Sequence, residues 1–228
     1  MKKLNVYVQP LLWLLPLSFL GVFYFYPLGA VLTYSLADVE RTTGALAALR
    51  DPYVLRTLSF TIWQAALSTL LTLLVGLPGA YLIGLYRFRG KALLRTLTAI
   101  PFMMPTVVVA AGFNALLGGR GWMNLGLMRA LQLETPPLLV INTLYAILLA
   151  HVFYNTTIVM RLVGDFWARL DPRLTQASQT LGATPWRSFT HITAPLLGPA
   201  VLTAAVLVFI FNFTSFGVIL ILGGPRFA

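Results

Sequence analysis

The sequence of 228 residues contains no cysteine, which excludes disulfide frameworks and thiolate metal sites. It is also poor in charge, because charged residues make up 10% of the chain whereas a soluble domain carries roughly 25%. The charges cluster in short stretches between long apolar runs. Because a membrane helix needs about 20 consecutive apolar residues, this distribution is typical of a multi-spanning membrane protein.

Motifs for catalysis are missing as well. Gly90-Lys91 is not a phosphate-binding loop, because Leu85 stands where that motif needs glycine and Ala92 where it needs Ser or Thr. The two histidines, His151 and His191, lie in different elements, and all six carboxylates fall outside the predicted spans. No acid–base pair or metal cluster can be assembled from them. The sequence therefore predicts a non-catalytic protein without cofactor or metal ligands.

The net charge of +10 does not indicate nucleic-acid binding. The sixteen basic residues are scattered through short loops, and no module that combines basic and aromatic residues is present. Met1-Lys2-Lys3 precedes an apolar stretch of about 26 residues, which is longer than the roughly 7–15 residues of a signal-peptide core. We therefore predict a retained first span, a lipid bilayer as surroundings and no nucleic-acid partner.

Five apolar segments are long enough to cross a bilayer, and we predict the spans 11–36, 57–85, 96–117, 138–160 and 196–222. Since the backbone must satisfy its own hydrogen bonds in hydrocarbon, the spans should be helices. The predicted fold is an all-α membrane bundle of five transmembrane helices in one domain, residues 1–228.

Basic residues in the loops set the orientation. Cytoplasmic loops are enriched in Lys and Arg, and the cluster of Arg87, Arg89, Lys91 and Arg95 favours a cytoplasmic N-terminus. Five crossings then place the C-terminal end outside, about three residues beyond the last span. We interpret this odd count as a chain that stops before its partner helices.

A polar hairpin at residues 171–195 separates the last two spans. Asp171-Pro172 is a preferred helix start, and Gly182 supplies a left-handed stop. Thr184-Pro185 repeats the start, and Pro195 is expected to end a second short helix. The spacing i, i+3, i+4, i+7 gives the first helix a small apolar face, formed by Leu174, Ala177, Ser178 and Leu181. Because a two-turn helix is marginal alone, it must pack on its own bundle or on a partner.

The hairpin resembles the EAA motif of the permease subunits of ATP-binding-cassette (ABC) importers, Glu-Ala-Ala-x3-Gly-x9-Ile-x-Leu-Pro. The motif positions are occupied by Gln176, Ala177, Ser178, Gly182, Ile192 and Pro195. Gln176 replaces the motif's Glu, Ser178 its second Ala, and Ala194 its Leu. The loss of the carboxylate puts in doubt any charge contact with an ATPase at that position.

Segments 148–155 and 213–225 are similar to the N-terminal half of two-part permeases for thiamine and, less closely, ferric iron. The resemblance covers nearly the whole chain. Members of that family carry six spans per half, so it implies that a sixth span and a second half are missing here. It also implies a type I importer permease in the bacterial inner membrane, with thiamine, or else ferric iron, as substrate.

The resemblance implies a mechanism and three partners. A pair of cytoplasmic ATPase subunits would bind the hairpins of two permease halves, and a periplasmic binding protein would deliver substrate. Closure of the ATPases would pull the hairpin and switch the halves between inward- and outward-facing states. The residues implied in coupling are Leu174, Gln176, Ala177, Ser178, Leu181, Gly182, Trp186, Ile192 and Pro195.

Polar residues inside the spans are candidates for the translocation pathway: Asn114, His151, Asn155, Asn212 and Ser215. Intramembrane polar groups are often functional, but they also form hydrogen bonds between helices. Pro101 and Pro105 either are tolerated kinks or bend the third span beside a pathway. The sequence leaves both pairs of alternatives open.

Two other functional classes also remain open. One is a channel or secondary transporter with its own coupling-ion site, which would be expected to have broken helices or buried carboxylates. The other is a membrane assembly protein that uses the hairpin only for docking.

Overall fold

The computed structural model describes residues 8–41, 50–224 and 227, and every regular element within them is helical. The elements are α1 (Val8–Leu20), α2 (Tyr26–Arg41), α3 (Pro52–Leu85), α4 (Lys91–Met103), α5 (Thr106–Leu117), α6 (Trp122–Leu131), α7 (Leu144–Trp167), α8 (Pro172–Thr180), α9 (Pro185–Ser188), α10 (Ala194–Phe213) and α11 (Phe216–Val218). Three π-helical turns adjoin them, at Gly21–Phe25, Phe189–Thr193 and Ile219–Gly223. The chain divides into two compact units at Ser59.

The first unit contains α1, α2 and the π-helical turn that joins them. The N–H of Tyr26 bonds to the carbonyl of Gly21, which is the wider π spacing, directly before Pro27. Proline has no backbone N–H and cannot donate a helical hydrogen bond. The wider π-helical turn accommodates this missing bond, so the helix does not end. Within the described residues, Trp13–Tyr34 is long and apolar enough to cross a membrane.

Helix α3 begins earlier than the predicted span 57–85. Asp51 accepts a hydrogen bond from the N–H of Tyr53 at 2.8 Å, and Pro52 occupies the first helical position. An Asp-Pro start of this kind fixes a helix N-terminus whatever the hydropathy. The helix therefore includes a turn that hydropathy alone assigns to a loop.

The predicted span 96–117 is wrong as a single helix. Helix α4 ends at Met103, Met104 is extended (φ −79°, ψ 140°), and α5 begins after Pro105. Lys91–Met103 and Thr106–Leu131 are bent by 106°. Pro105 removes a backbone donor and forces the preceding residue out of the helical conformation, which explains the break.

The fourth and fifth predicted spans also have different limits. Helix α7 runs over Leu144–Trp167 instead of 138–160, so Asp165 lies inside a helix and the expectation that all carboxylates fall outside was wrong. The predicted span 196–222 is interrupted at Thr214 and Ser215, between α10 and α11.

Pro195 does not end a helix, contrary to the prediction. A helix of 29 residues runs from Pro185 to Phe213 through the π-helical turn Phe189–Thr193. The N–H of Ala194 bonds to the carbonyl of Phe189, so the register widens just before the proline. Within the described residues, four helices meet the length and apolarity of a span, or five if α4 and the bent α5–α6 segment count as one.

Small residues bring α3 and α7 close together in the second unit. Gly76, Ala80 and Gly84 lie one turn apart on α3, and Ala80 is fully buried in a core with residues of α7 and α10. A Cβ atom added to Gly76 would lie 2.6 Å from the Cβ of Val159. Close backbone approach through small residues is the usual basis of helix packing in membranes.

We predict that Gly76→Ala destabilises the protein by about 1–3 kcal/mol, because the new methyl group overlaps Val159. The matched control is Gly198→Ala in α10, where an added Cβ meets nothing within 4 Å. That change should stabilise the helix by up to about 1 kcal/mol. Reversible unfolding of the purified protein in mixed micelles measures both, and equal effects would contradict the packing argument.

Candidate functional site

The polar hairpin folds as two helical arms joined by a tight turn. The side chain of Asp171 accepts from the N–H of Arg173 at 2.9 Å and caps α8, with Pro172 at the first position. Gly182 follows with φ +86°, a left-handed conformation that favours glycine. Thr184 then accepts from the N–H of Arg187 at 3.3 Å and starts the second arm.

A hydrogen bond between two serines ties the arms together. The hydroxyl oxygens of Ser178 and Ser188 are 2.7 Å apart, and Ser188 is almost fully buried. Ser178 is therefore not an open part of the predicted apolar face. Its hydroxyl group instead contacts the second arm of the hairpin.

The rest of the apolar face on α8 is uncovered. No residue of α8 is buried, Leu174 is 48% exposed and Leu181 is 89% exposed, and Ala177 is exposed as well. Trp186 on the second arm is 73% exposed. An exposed apolar surface of this kind on a helix too short to be stable alone indicates a docking surface.

Helix α8 also borders a groove of about 390 Å³, and Leu174 belongs to its lining. Gln176 and Gln179 line it from the hairpin, and Ile192 lines it from the second arm. Its floor includes Trp167 and Phe189, whose rings stack with centroids 6.1 Å apart. Gln176 and Ile192 therefore share the groove lining with Leu174. Ala177, Leu181 and Trp186 are not part of that lining.

A second concave site, here called the break cavity, has a volume of about 280 Å³. It adjoins both interruptions of the transmembrane helices, because Met104 and Thr106 flank one break and Ser215 lies in the other. Its lining is Phe102, Met104, Thr106, His151, Tyr154, Asn155, Phe211, Ser215 and Val218. Binding sites at discontinuous helices are common in transporters.

Beside the break cavity a buried polar network connects α3, α7 and α10. Ser68 Oγ lies 3.0 Å from His151 Nδ1 and 3.4 Å from Gln64 Oε1. Gln64 Nε2 donates to the backbone carbonyl of Asn212 at 3.3 Å. Asn155 Nδ2 donates to Asn212 Oδ1 at 2.8 Å, and Asn212 Nδ2 donates to Thr69 Oγ1 at 3.3 Å. These hydrogen bonds give the polar side chains partners that the lipid could not supply.

The structure separates the five predicted pathway residues. His151, Asn155 and Ser215 line the break cavity together. Asn212 is fully buried within the network, so its contacts are interhelical. Asn114 lies on the exposed surface of α5 and is not in the lining of the break cavity, so its place in a pathway stays a prediction.

Several site residues escaped sequence analysis. Ser68 and Thr72 follow Gln64 at i+4 and i+8, so one polar stripe runs along α3, and this helical spacing was the available signal. Phe102 and Phe211 come from separate helices, and nothing in the sequence pairs them. Among the described residues, no group of three His, Cys, Asp or Glu could hold a metal ion.

Charged residues join α4 to α7 near the ends of both helices. Arg95 donates to Asp165 in an ion pair, and Arg161 donates to the backbone carbonyl of Arg95 at 3.3 Å. The hydroxyl of Thr157 also donates to the carbonyl of Thr98. The α4 half of the broken segment is therefore fastened to α7, while its other end leads into the break at Met104.

Together, the apolar helices, the polar hairpin and the cavity between broken helices define a membrane-embedded transport component. Residues 76–227 match the family model of the binding-protein-dependent transport system inner membrane component, and the chain belongs to that family.

Relatives within the family carry different names. The chain is 31% identical over 201 residues to the thiamine transport system permease protein ThiP of Salmonella typhimurium, covering 85% of this chain and 37% of that protein. It is 31% identical over 170 residues to the molybdenum transport system permease protein ModB of Azotobacter vinelandii, covering 75% and 73%. The chain thus spans well under half the length of the thiamine relative.

The fold also matches a solved structure. A bacterial ABC transporter involved in the import of the acidic polysaccharide alginate contains a chain with a TM-score of 0.68 and 18% identity, covering 96% of this chain and 78% of that one. At this identity the likeness concerns the fold alone.

Proposed function

We propose that the chain is a permease component of a binding-protein-dependent ABC importer and that its hairpin couples the permease to a separate ATPase. The observation that carries this proposal is the uncovered face of α8, with Ala177 and Leu181 exposed, in a member of this family. In this proposal ATP hydrolysis takes place on the partner, and the chain itself is non-catalytic. A second permease half or subunit and a substrate-binding protein complete the importer.

The helix from Pro185 to Phe213 supports a lever mechanism. It starts in the hairpin and ends at the interruption beside the break cavity, where Phe211 and Ser215 line the wall. At 1.5 Å per residue its length is about 43 Å, enough to cross a bilayer. A displacement of the hairpin by an ATPase would be carried along this helix to the cavity, as alternating access requires.

Thiamine is the substrate that we propose. The ThiP relative matches across most of this chain, and the break cavity combines aromatic and hydrogen-bonding side chains. Ferric iron, the second substrate suggested by the sequence, receives less support, because the cavity lining holds no carboxylate. The relative named for molybdenum makes an oxyanion the main competing substrate class.

A secondary transporter remains the second candidate, since the breaks at Met104 and Ser215 are of the kind expected there. Family membership favours the ATP-driven proposal. Uptake by proteoliposomes containing the complete importer separates the two functions. We expect uptake only with ATP and the ATPase present, and uptake that persists without them would refute the proposal.

The absence of cysteine allows a direct test of orientation. A single cysteine introduced as Arg187→Cys, at an exposed hairpin position, should react with a membrane-impermeant maleimide only after the inner side of the membrane is opened. Cysteine-free protein is the background control. Labelling of intact cells from the outside would place the hairpin beyond the reach of an ATPase.

A further inference from the structure

His151 holds a buried nitrogen without a hydrogen-bond partner. The side chain is 1% exposed, its Nδ1 faces Ser68 on α3, and its Nε2 has no partner. A buried polar atom without a hydrogen-bond partner destabilises the folded state, so such an atom calls for an explanation. His151 also belongs to the lining of the break cavity.

The neighbouring hydrogen bonds determine which ring nitrogen carries the proton. Gln64 uses its Nε2 to donate to the carbonyl of Asn212, so its Oε1 faces Ser68 as an acceptor. The single hydroxyl proton of Ser68 satisfies that acceptor only if Ser68 in turn accepts from His151 Nδ1–H. In this order every bond is made, and Nε2 of His151 is left with a lone pair.

A second acceptor lies one helical turn away. Asn155 follows His151 at i+4 on α7 and lines the same cavity. Its Nδ2 donates to Asn212 Oδ1, so its carbonyl oxygen is the atom available to accept. The Nε2 atom of His151 and the Oδ1 atom of Asn155 therefore both require donors, and a solute without N–H or O–H groups cannot supply them.

Three aromatic rings also belong to the cavity lining. Phe102 and Phe211 meet edge to face with centroids 5.8 Å apart across the two helix breaks, and Tyr154 lines the cavity beside them. Such rings favour planar aromatic ligands and attract cationic ones.

We infer that the break cavity is a transit site for a planar nitrogen heterocycle bearing an amino group, held by His151 Nε2 and Asn155 Oδ1 as acceptors. This inference rests on the proposed transport function and narrows its substrate class. Nε2 is buried in this state, so binding of the solute requires the cavity wall at His151 to open. Oxyanions, which carry only acceptors at neutral pH, cannot donate to His151 Nε2 or Asn155 Oδ1.

The experiment uses His151→Asn in the purified, complete permease. Asparagine can keep a donor to Ser68 near the position of Nδ1 but has no atom at Nε2, so the network and the fold should persist. Ligand-induced thermal shifts are measured with thiamine, 4-aminopyrimidine, unsubstituted pyrimidine, molybdate and sulfate. We expect shifts with thiamine and 4-aminopyrimidine, weak or no shift with pyrimidine, and at least tenfold weaker binding of the amino compounds to His151→Asn.

Two control variants are measured. His191→Asn changes an exposed histidine of the hairpin and is the control for His151→Asn. Phe209→Leu is the control for Phe211→Leu, which changes a residue of the cavity lining. The first control should bind as the parent does, and Phe211→Leu should weaken binding more than Phe209→Leu. Shifts by oxyanions alone, no shift with any compound, or equal binding by parent and His151→Asn would each overturn the inference. Binding is measured without ATP, so a failure here is distinct from a failure of ATPase coupling.

Discussion

Ala177→Arg is expected to reduce ATP-dependent uptake to background while the protein still inserts and folds. Ala177 lies on the exposed side of α8, where Leu181 is also uncovered, and it lines neither the groove nor the serine contact. If an ATPase covers this face, the substitution buries a bulky unpaired charge in the interface. Such a charge costs about 3–5 kcal/mol, which is more than a hundredfold in affinity.

Co-purification of the ATPase with the permease measures the effect, with membrane content as the reference. The matched control is Ala92→Arg, the same substitution at an exposed alanine of α4, on the predicted cytoplasmic side but outside the hairpin. It should leave both docking and uptake unchanged. If the ATPase co-purifies with the Ala177→Arg variant at the parent yield, the uncovered face is not its binding site.

The hairpin was the most predictable part of this structure because its limits are set locally. Asp171, Pro172 and Gly182 act through their own backbone preferences, and each does in the structure what its residue type indicates. Which side of α8 stays open could not be predicted. That depends on Ser188, which meets Ser178 from the second arm.

The prolines show why the helix limits were less predictable. Pro105 terminates a helix, whereas Pro195 lies in a helix that continues on both sides. The difference lies in the preceding residues, because Phe189–Thr193 widens to π spacing while Met104 becomes extended. Proline lacks the same backbone N–H donor in both cases. The surrounding packing determines whether the helix accommodates the missing hydrogen bond by a wider turn or ends there.

The polar residues of the spans divide in a way that helical spacing does not reveal. His151 and Asn155 share a face of α7, as i, i+4 spacing requires, and both reach the cavity. Asn212 and Ser215 both lie in the predicted span 196–222, but the break at Thr214 intervenes. Only Ser215 lines the cavity, and Asn212 joins the buried network.

Asn212→Leu should destabilise the protein by about 2–4 kcal/mol even though it makes a transmembrane helix more apolar. The side chain of Asn212 accepts from Asn155 and donates to Thr69, at 2.8 and 3.3 Å, and it is fully buried. Leucine removes both bonds and leaves the amide of Asn155 without its acceptor in a region that water does not reach. Unfolding in mixed micelles should show the loss, while membrane content stays at the parent level because insertion follows apolarity.

Asn114→Leu supplies the comparison, since it is the same substitution at an exposed position of α5. It should change the free energy of unfolding by less than about 0.5 kcal/mol, as surface substitutions usually do. If Asn212→Leu unfolds like Asn114→Leu, the three helices are held by apolar packing alone, and the buried amide must instead serve the moving solute.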